Sequence, residues 1–413
     1  MIPPIDSRRD PADPRHSRQL TVALFAGGIA TFAELYAVQA VLPALAAEWR
    51  LSESTASLAV SVATGALALS VLPWAALGDR IGRAGAMRLS AIVAAVAGAA
   101  LPLAPSFEVL LVLRAVAGLA LGALPALAIA HLVARAPAGR VAAIGGLYIA
   151  GTTLGGLTGR VITGAVGGLA GWRWGVATTS VLVAVAVVVF VILLPADERQ
   201  AERLTGPPTG PLTGPPTGPP APGKIRAAMS NTTVWVFYAQ AFLLMGGFVT
   251  VYNLLAFRLL DDPYRLPASL VSLLFLTYLV GTVGSSGVGR LVGRWGRRAV
   301  LVAAGFGMAL GVAVTLATSL WLVLVGLVIA TFCFFVAHAI AAAWAGQQVP
   351  AARSQATALY SLAYYAGSSL LGFAGAVVFD TAGWTGAMIM VMVGCVLAAG
   401  IATVGAPRRL AGS

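Results

Sequence analysis

Apolar runs alternate along this chain with short polar segments, and that alternation is its dominant pattern. A helix needs about 20 largely apolar residues to cross the hydrocarbon core of a bilayer. Measured against that length, the chain predicts spans near residues 19–45, 56–77, 84–103, 109–133, 140–167 and 173–195. After a break, a second set follows near 232–258, 268–289, 298–316, 319–345, 355–379 and 384–405. In hydrocarbon each backbone N–H and C=O must find its partner within its own segment, so runs of this length are helices. The expected fold is an all-α polytopic membrane protein, with twelve transmembrane helices in two pseudo-symmetric six-helix bundles. Residues 1–18 read as a disordered cytoplasmic N-terminus, and 19–195 as the first bundle. Residues 196–231 read as a cytoplasmic Pro/Gly-rich linker, 232–405 as the second bundle and 406–413 as a cytoplasmic tail.

Composition narrows the class. Hydrophobic residues make up 59% of the chain and charged residues 10%, against about 25% charged in a soluble domain. A soluble chain of this kind would expose large apolar patches; a bilayer is its natural solvent. The net charge of +12 sits in the short segments between apolar runs, with no basic face carrying interleaved aromatics, so no nucleic acid partner is expected. With the N-terminus inside, twenty of the 26 basic residues fall in inner segments. The outer loops hold only Arg50, Arg173, Arg258 and Arg265. That bias puts both termini and the linker in the cytoplasm. The linker repeats a Thr-Gly-Pro unit over Thr205–Gly223, which cannot pack and reads as a solvated spacer. Residues 1–18 lack the apolar core of a signal peptide. Cys333 and Cys395 are far apart and read as packing residues, and no cofactor or metal motif is present.

The two halves repeat. A shift of 214 positions carries Arg80 onto Arg294, Gly82 onto Gly296, Arg83 onto Arg297 and Gln39 onto Asn253. A shift of 212 carries Tyr148 onto Tyr360 and Gly171-Trp172 onto Gly383-Trp384. Two six-span repeats imply a midplane site between them, reached by alternating access.

The inner loop after span two reads Ala75-Ala76-Leu77-Gly78-Asp79-Arg80-Ile81-Gly82-Arg83-Ala84, and its second copy runs from Gly289 to Arg298. With the twelve spans and the linker, it resembles the signature of the major facilitator superfamily, over nearly the whole chain. It departs from that signature at the first glycine and last arginine, and the second copy has Gly293 in place of the acid. The resemblance implies a conformational latch built from Asp79, Arg80, Gly82, Arg83, Arg294, Gly296 and Arg297, with Asp79 meeting the N-terminus of span eleven. A positive-inside turn is the simpler reading of the same arginines. Span four carries Arg114, Gly118 and Gly122 in the family's R-x-x-x-G pattern. Span five carries Gly151, Gly155, Gly156, Gly159 and Arg160, similar to the antiporter signature but with Gly156 and Arg160 at its proline and last glycine. These features look most like the sugar- and drug-efflux branch. They imply a bacterial inner-membrane transporter, functional as a monomer, with a small-molecule substrate, protons and the lipid bilayer as its partners.

Three ionisable residues lie well inside spans: Glu34, Arg114 and Arg160. A charge at mid-helix costs about 2.5–3.5 kcal/mol on insertion scales, so such groups line cavities, pair and work. Glu34 is the candidate proton carrier, with Arg114 as its counter-charge; the competing reading is a static pair holding spans one and four together. Arg160 reads equally as a substrate contact or a structural pair. The Gln39/Asn253 equivalence makes those two the favoured cavity residues, joined by Tyr148, Arg160 and Tyr360, with Tyr36, Tyr252, Tyr278, His338, Tyr364 and Tyr365 as further polar groups. With no Walker loop, the energy source is an ion gradient or the substrate's own. The expected activity is a proton-coupled antiporter exporting a drug or sugar, with nutrient symport or uniport as the alternative. A sensor or an enzyme would need an output domain or a catalytic cluster, and the sequence shows neither.

Overall fold

A computed structural model describes residues 14–197 and 222–407. Spans one to six run Arg15–Trp49, Glu53–Ile81, Arg83–Leu103, Phe107–Arg135, Val141–Ala170 and Trp172–Leu193. Spans seven to ten run Thr232–Leu260, Ala268–Trp295, Arg297–Val314 and Leu320–Gln347. The helix Arg353–Gly405 is then divided by the non-helical backbone of Gly383 into spans eleven and twelve. The described residues contain twelve apolar helices long enough to cross a bilayer and no strand.

Two boundaries differ from the sequence expectation. Residues 14–18 do not belong to a disordered terminus: the first helix starts at Pro14, and His16 and Ser17 are buried. Proline is well placed in a first helical turn, where its missing N–H costs nothing. The end of the linker is also structured, as the helix Pro222–Ser230 ahead of span seven. The Thr-Gly-Pro repeat up to residue 221, the first thirteen residues and the tail from 408 lie outside the described residues.

Within each half, glycine sets how closely helices approach. A Cβ added at Gly151 or Gly155 would overlap the backbone carbonyl of Phe25 or Ile29, and one at Gly159 would lie 2.7 Å from Cα of Ala33. Span five thus lies backbone to backbone along span one, the small-residue packing that membrane helices use. The second half repeats the arrangement, with Gly367 against Phe242 and Gly375 against Thr250. Gly118 and Gly122 of span four pack likewise on Ala63 and Ser70 of span two.

Four glycines have positive φ: Gly82 (88°), Gly171 (94°), Gly296 (80°) and Gly383 (62°). Each joins the second and third helices of a three-helix unit, in backbone that L-residues rarely adopt. The sequence repeat is twofold; the turns show a fourfold one.

The halves meet at the arginine-poor end. The Ser54 N–H donates to Asp380 Oδ1 at 3.1 Å, and the Ser369 hydroxyl to the Ser61 carbonyl at 2.7 Å. A Cβ at Gly168 would lie 2.6 Å from the Ser269 nitrogen. Toward the arginine-rich end, a Cβ on Gly146, Gly287, Gly289 or Gly293 would meet nothing within 4 Å.

Candidate functional site

Span one loses its α-helical pitch at mid-membrane. Tyr36 has φ −116° and ψ −3°, and a 3₁₀ segment, Ala37–Val41, follows. With three residues per turn, positions i and i+3 eclipse, so Tyr36 and Gln39 share an edge. Span eight breaks in the same way: its 3₁₀ segment, Leu273–Thr277, brings Phe275 and Tyr278 onto one edge. The two edges face each other across Arg160.

Arg160 is 2% exposed. Its Nε donates to Gln39 Oε1 at 2.6 Å, and its Nη1 to the Gly156 carbonyl at 2.6 Å. The guanidinium carbon lies 4.2 Å from the Tyr36 ring centroid, 4.8 Å from that of Tyr278 and 5.3 Å from that of Phe275. Such cation–π contacts contribute about 0.5–2 kcal/mol each. Gln39 Nε2 then donates to Asn253 Oδ1 at 2.6 Å, so the two residues related by the repeat meet directly between the halves. From Arg160 an aromatic path leads through Tyr278 and Phe248 to Phe334 and His338. His338 Nδ1 lies 2.9 Å from the Tyr360 hydroxyl. Tyr360 therefore lines the far end of the path rather than touching Arg160. Tyr148 is buried in the first half, within electrostatic reach of Tyr365 in the second.

Glu34 and Arg114 are a separate pair. Arg114 Nη1 lies 3.7 Å from Glu34 Oε1, with both side chains buried. The guanidinium is otherwise spent on backbone: Nε donates to Ala59 O at 2.7 Å, Nη1 to Glu34 O at 2.9 Å, and Nη2 to Leu35 O. Glu34 O and Leu35 O sit at the point where the α-helix gives way to 3₁₀ geometry. Arg114 thus braces the break in span one as well as facing the acid. The Glu34 carboxylate packs on Gly98 of span three, where any Cβ would overlap it. Among the described residues no hydrogen bond or ion pair joins it to Gln39 or Arg160.

Arg83 and Arg297 bond within their own halves. Arg83 Nη1 donates to Ala130 O at 3.1 Å, and Arg297 Nη1 to Gln347 Oε1 at 2.6 Å. Arg294 lies over the Trp295 ring at 5.5 Å. Asp79 and Arg80 form the last turn of span two, with Arg80 exposed. Asp197, just past span six, accepts the Ala84 N–H at 2.8 Å and lies 3.3 Å from His131 Nδ1. Burial works against its charged form. The His131 ring, the Ala84 N–H and the nearby Arg135 outweigh that, holding its carboxyl below the usual aspartate value of 3.8.

Sequence reasoning passed over Asp197, Asp380, Ser368 and Phe275. The two acids had a signal, since each lies within two residues of the end of a predicted span in a chain with few acids. Phe275 and Ser368 had none, because an apolar or small residue in an apolar run is silent until the path of the backbone is known.

The model of the Major Facilitator Superfamily matches residues 24–284 and 259–412. The chain belongs to that superfamily. The transporter is 33% identical over 374 residues to an uncharacterised MFS-type transporter, YybF, of Bacillus subtilis, covering 91% of this chain and 90% of that one. It is 32% identical to the inner membrane transport protein YnfM of Escherichia coli, over 89% and 86% of the two chains. Two solved structures share its fold. A bacterial homologue of the lysosomal transporter Spinster, inward-facing and occupied, aligns with TM-score 0.76 at 17% identity, over 97% and 98% of the chains. The nucleoside transporter NupG aligns with TM-score 0.69 at 14% identity, over 94% and 97%. The protein is therefore a multi-pass secondary transporter and not an enzyme.

Proposed function

We propose that this transporter is a proton-coupled antiporter that exports a small organic solute by alternating access, working as a single chain in a bacterial inner membrane. The observation that carries the reading is the position of Glu34. It is a buried acid facing Arg114, and Arg114 holds the carbonyls of the very break that leads to Gln39. Protonation of Glu34 removes the charge facing Arg114, which shifts the brace and with it the Gln39–Asn253 bridge between the halves. Proton and solute then compete through one segment of span one, the condition for exchange.

The positive-inside bias puts the arginine-rich end in the cytoplasm. On that reading, a bundle sealed at its arginine-poor end is open inward. Spans two and eleven pair Ser54 with Asp380 and Ser61 with Ser369. Continued antiparallel, that register brings Asp79 opposite the first turn of span eleven, where a helix N-terminus favours an acid. Closing the inner end would engage Asp79 there as a latch, with Arg80, Gly82 and Arg83 shaping its turn and Arg294, Gly296 and Arg297 the matching one.

Inside-out vesicles energised to an acidic lumen test the coupling. Sugars and cationic, neutral and anionic drugs are added while lumenal pH is followed, with Glu34→Gln in parallel. A solute-triggered proton leak in the wild type that the variant lacks is the expected result. An equal leak in both would sink the role of Glu34, and solute uptake with no proton movement would point to uniport.

A further inference from the structure

Arg160 is a buried cation with no acid beside it. Among the described residues its hydrogen bonds go to an amide oxygen and a backbone carbonyl, and it takes part in no ion pair. Glu34 is committed to Arg114 and Gly98. A guanidinium carries five N–H donors, and two of those on Arg160 are placed. Isolated buried charges are expensive, so proteins pair them or reserve them for a partner.

The groups around it share one bias. The Tyr36 hydroxyl, the Ser368 hydroxyl and Asn253 Nδ2 are buried, and none has a hydrogen-bond partner. Tyr36 covers the guanidinium, and its hydroxyl lies near that of Ser368 without meeting hydrogen-bond geometry. Asn253 is tied to Arg160 through Gln39. Each of these groups can donate. The two hydroxyls can accept as well, but the amide oxygens of Gln39 and Asn253 are already engaged, so the site offers donors throughout and no anionic acceptor. A carboxylate is the converse, accepting only and taking a guanidinium's paired N–H groups. Beyond the polar atoms stand Phe275, Tyr278 and Phe248, an apolar wall for the body of such a ligand.

We infer that the transported solute is a small organic monoanion, a carboxylate on an aromatic or apolar body, held by Arg160 between the halves. The inference rests on the reading that this midplane cluster is the substrate site, and it names the substrate's class. Tyr36, Gln39 and Arg160 come from the first half, and Asn253, Phe275, Tyr278 and Ser368 from the second, so a bound anion touches both bodies that must move. A neutral ligand would leave the buried guanidinium without a counter-charge, and cations meet its positive charge.

Matched ligands test this on the full chain in lipid nanodiscs: benzoate and cinnamate, their neutral amides, and benzylamine, each followed by thermal unfolding and calorimetric titration. The carboxylates should bind and raise the unfolding temperature, with the amides and the amine at least ten-fold weaker. Arg160→Gln should weaken carboxylate binding at least ten-fold, and Arg160→Lys should weaken it less. If Arg160→Gln does not fold, Gln39→Glu decides the matter. It supplies a nearly isosteric internal carboxylate, so it should keep or raise the unfolding temperature while abolishing carboxylate binding. Amides binding as well as acids, no carboxylate binding at all, or undiminished binding in Gln39→Glu each overturns the inference. Failure here is distinguishable from failure of exchange. A neutral or cationic solute that drives proton leak would keep the antiporter and discard the anion. Carboxylate binding without proton movement would do the reverse.

Discussion

Gly155 and Gly146 lie on the same helix and make opposite predictions. A methyl at Gly155 runs into the Ile29 carbonyl, so the helices must part. Overpacking of that kind costs about 1–3 kcal/mol, and Gly155→Ala should unfold at lower temperature and disturb the neighbouring Arg160. At Gly146 the same methyl meets nothing within 4 Å. There alanine gains about 0.5–1 kcal/mol of helix propensity, so Gly146→Ala should be neutral or stabilising. Asp197 gives a prediction in pH. Its carboxyl is held below 3.8 in the folded chain. An acid with a depressed folded pKa adds stability that is present above its unfolded value and fades as pH falls through the folded one. Asp197→Asn should therefore unfold at lower temperature than wild type at pH 7, and the difference should close below about pH 4.

At the scale of the element, the break in span one joins the charges to the site. A straight α-helix would put Gln39 about 140° around from Glu34. The 3₁₀ segment instead aligns Gln39 with Tyr36 and aims both at Arg160. Arg114 supplies donors where the break leaves carbonyls without their α-helical partners. That unequal division of labour predicts unequal variants. Glu34→Gln mimics the protonated acid: it shifts the brace without removing its donors, and should lower the unfolding temperature far less than loss of the arginine does. Arg114→Met strips the brace and leaves Glu34 buried alone, a loss of about 3–5 kcal/mol, and should lower that temperature sharply. The sequence made Glu34, Arg114 and Arg160 visible, because a charge in an apolar run stands out. It also made Gln39 and Asn253 visible, because the repeat relates them. It did not show that Arg160 joins Gln39 while Glu34 faces Gly98. Those partnerships depend on where an α-helix changes pitch, and the one mark in the sequence, Pro43, follows the 3₁₀ segment and does not show that the break begins at Tyr36.

At the scale of the molecule, hydrophobic run length gave the twelve spans, because backbone satisfaction in hydrocarbon leaves few alternatives. Which end is closed was not legible, since closure depends on the arrangement of two bodies and one sequence must serve both arrangements. The closed end offers a direct check. An ideal Cβ at Gly65 would lie 3.4 Å from Cβ of Ser369, near the separation a disulfide requires. In a chain whose Cys333 and Cys395 are replaced, Gly65→Cys with Ser369→Cys should cross-link under oxidation. Transport should then stop and return on reduction. If transport persists with the bridge formed, that seam does not need to open.

The four positive-φ turns carry one more consequence. Each has nearly the same backbone, yet Gly82 and Gly296 lie at one face of the bundle, and Gly171 and Gly383 at the other. A unit of three helices makes an odd number of crossings, so each successive copy must enter the bilayer the other way up. Such a unit has no inherent top or bottom, and its hinge works on either side. Only the flanking residues differ: Arg80 and Arg83, then Arg294, Arg297 and Arg298, beside the turns at one face, against Arg173 alone beside those at the other. During synthesis the inserting machinery therefore takes its directions from a handful of guanidinium groups laid over a shape that gives none.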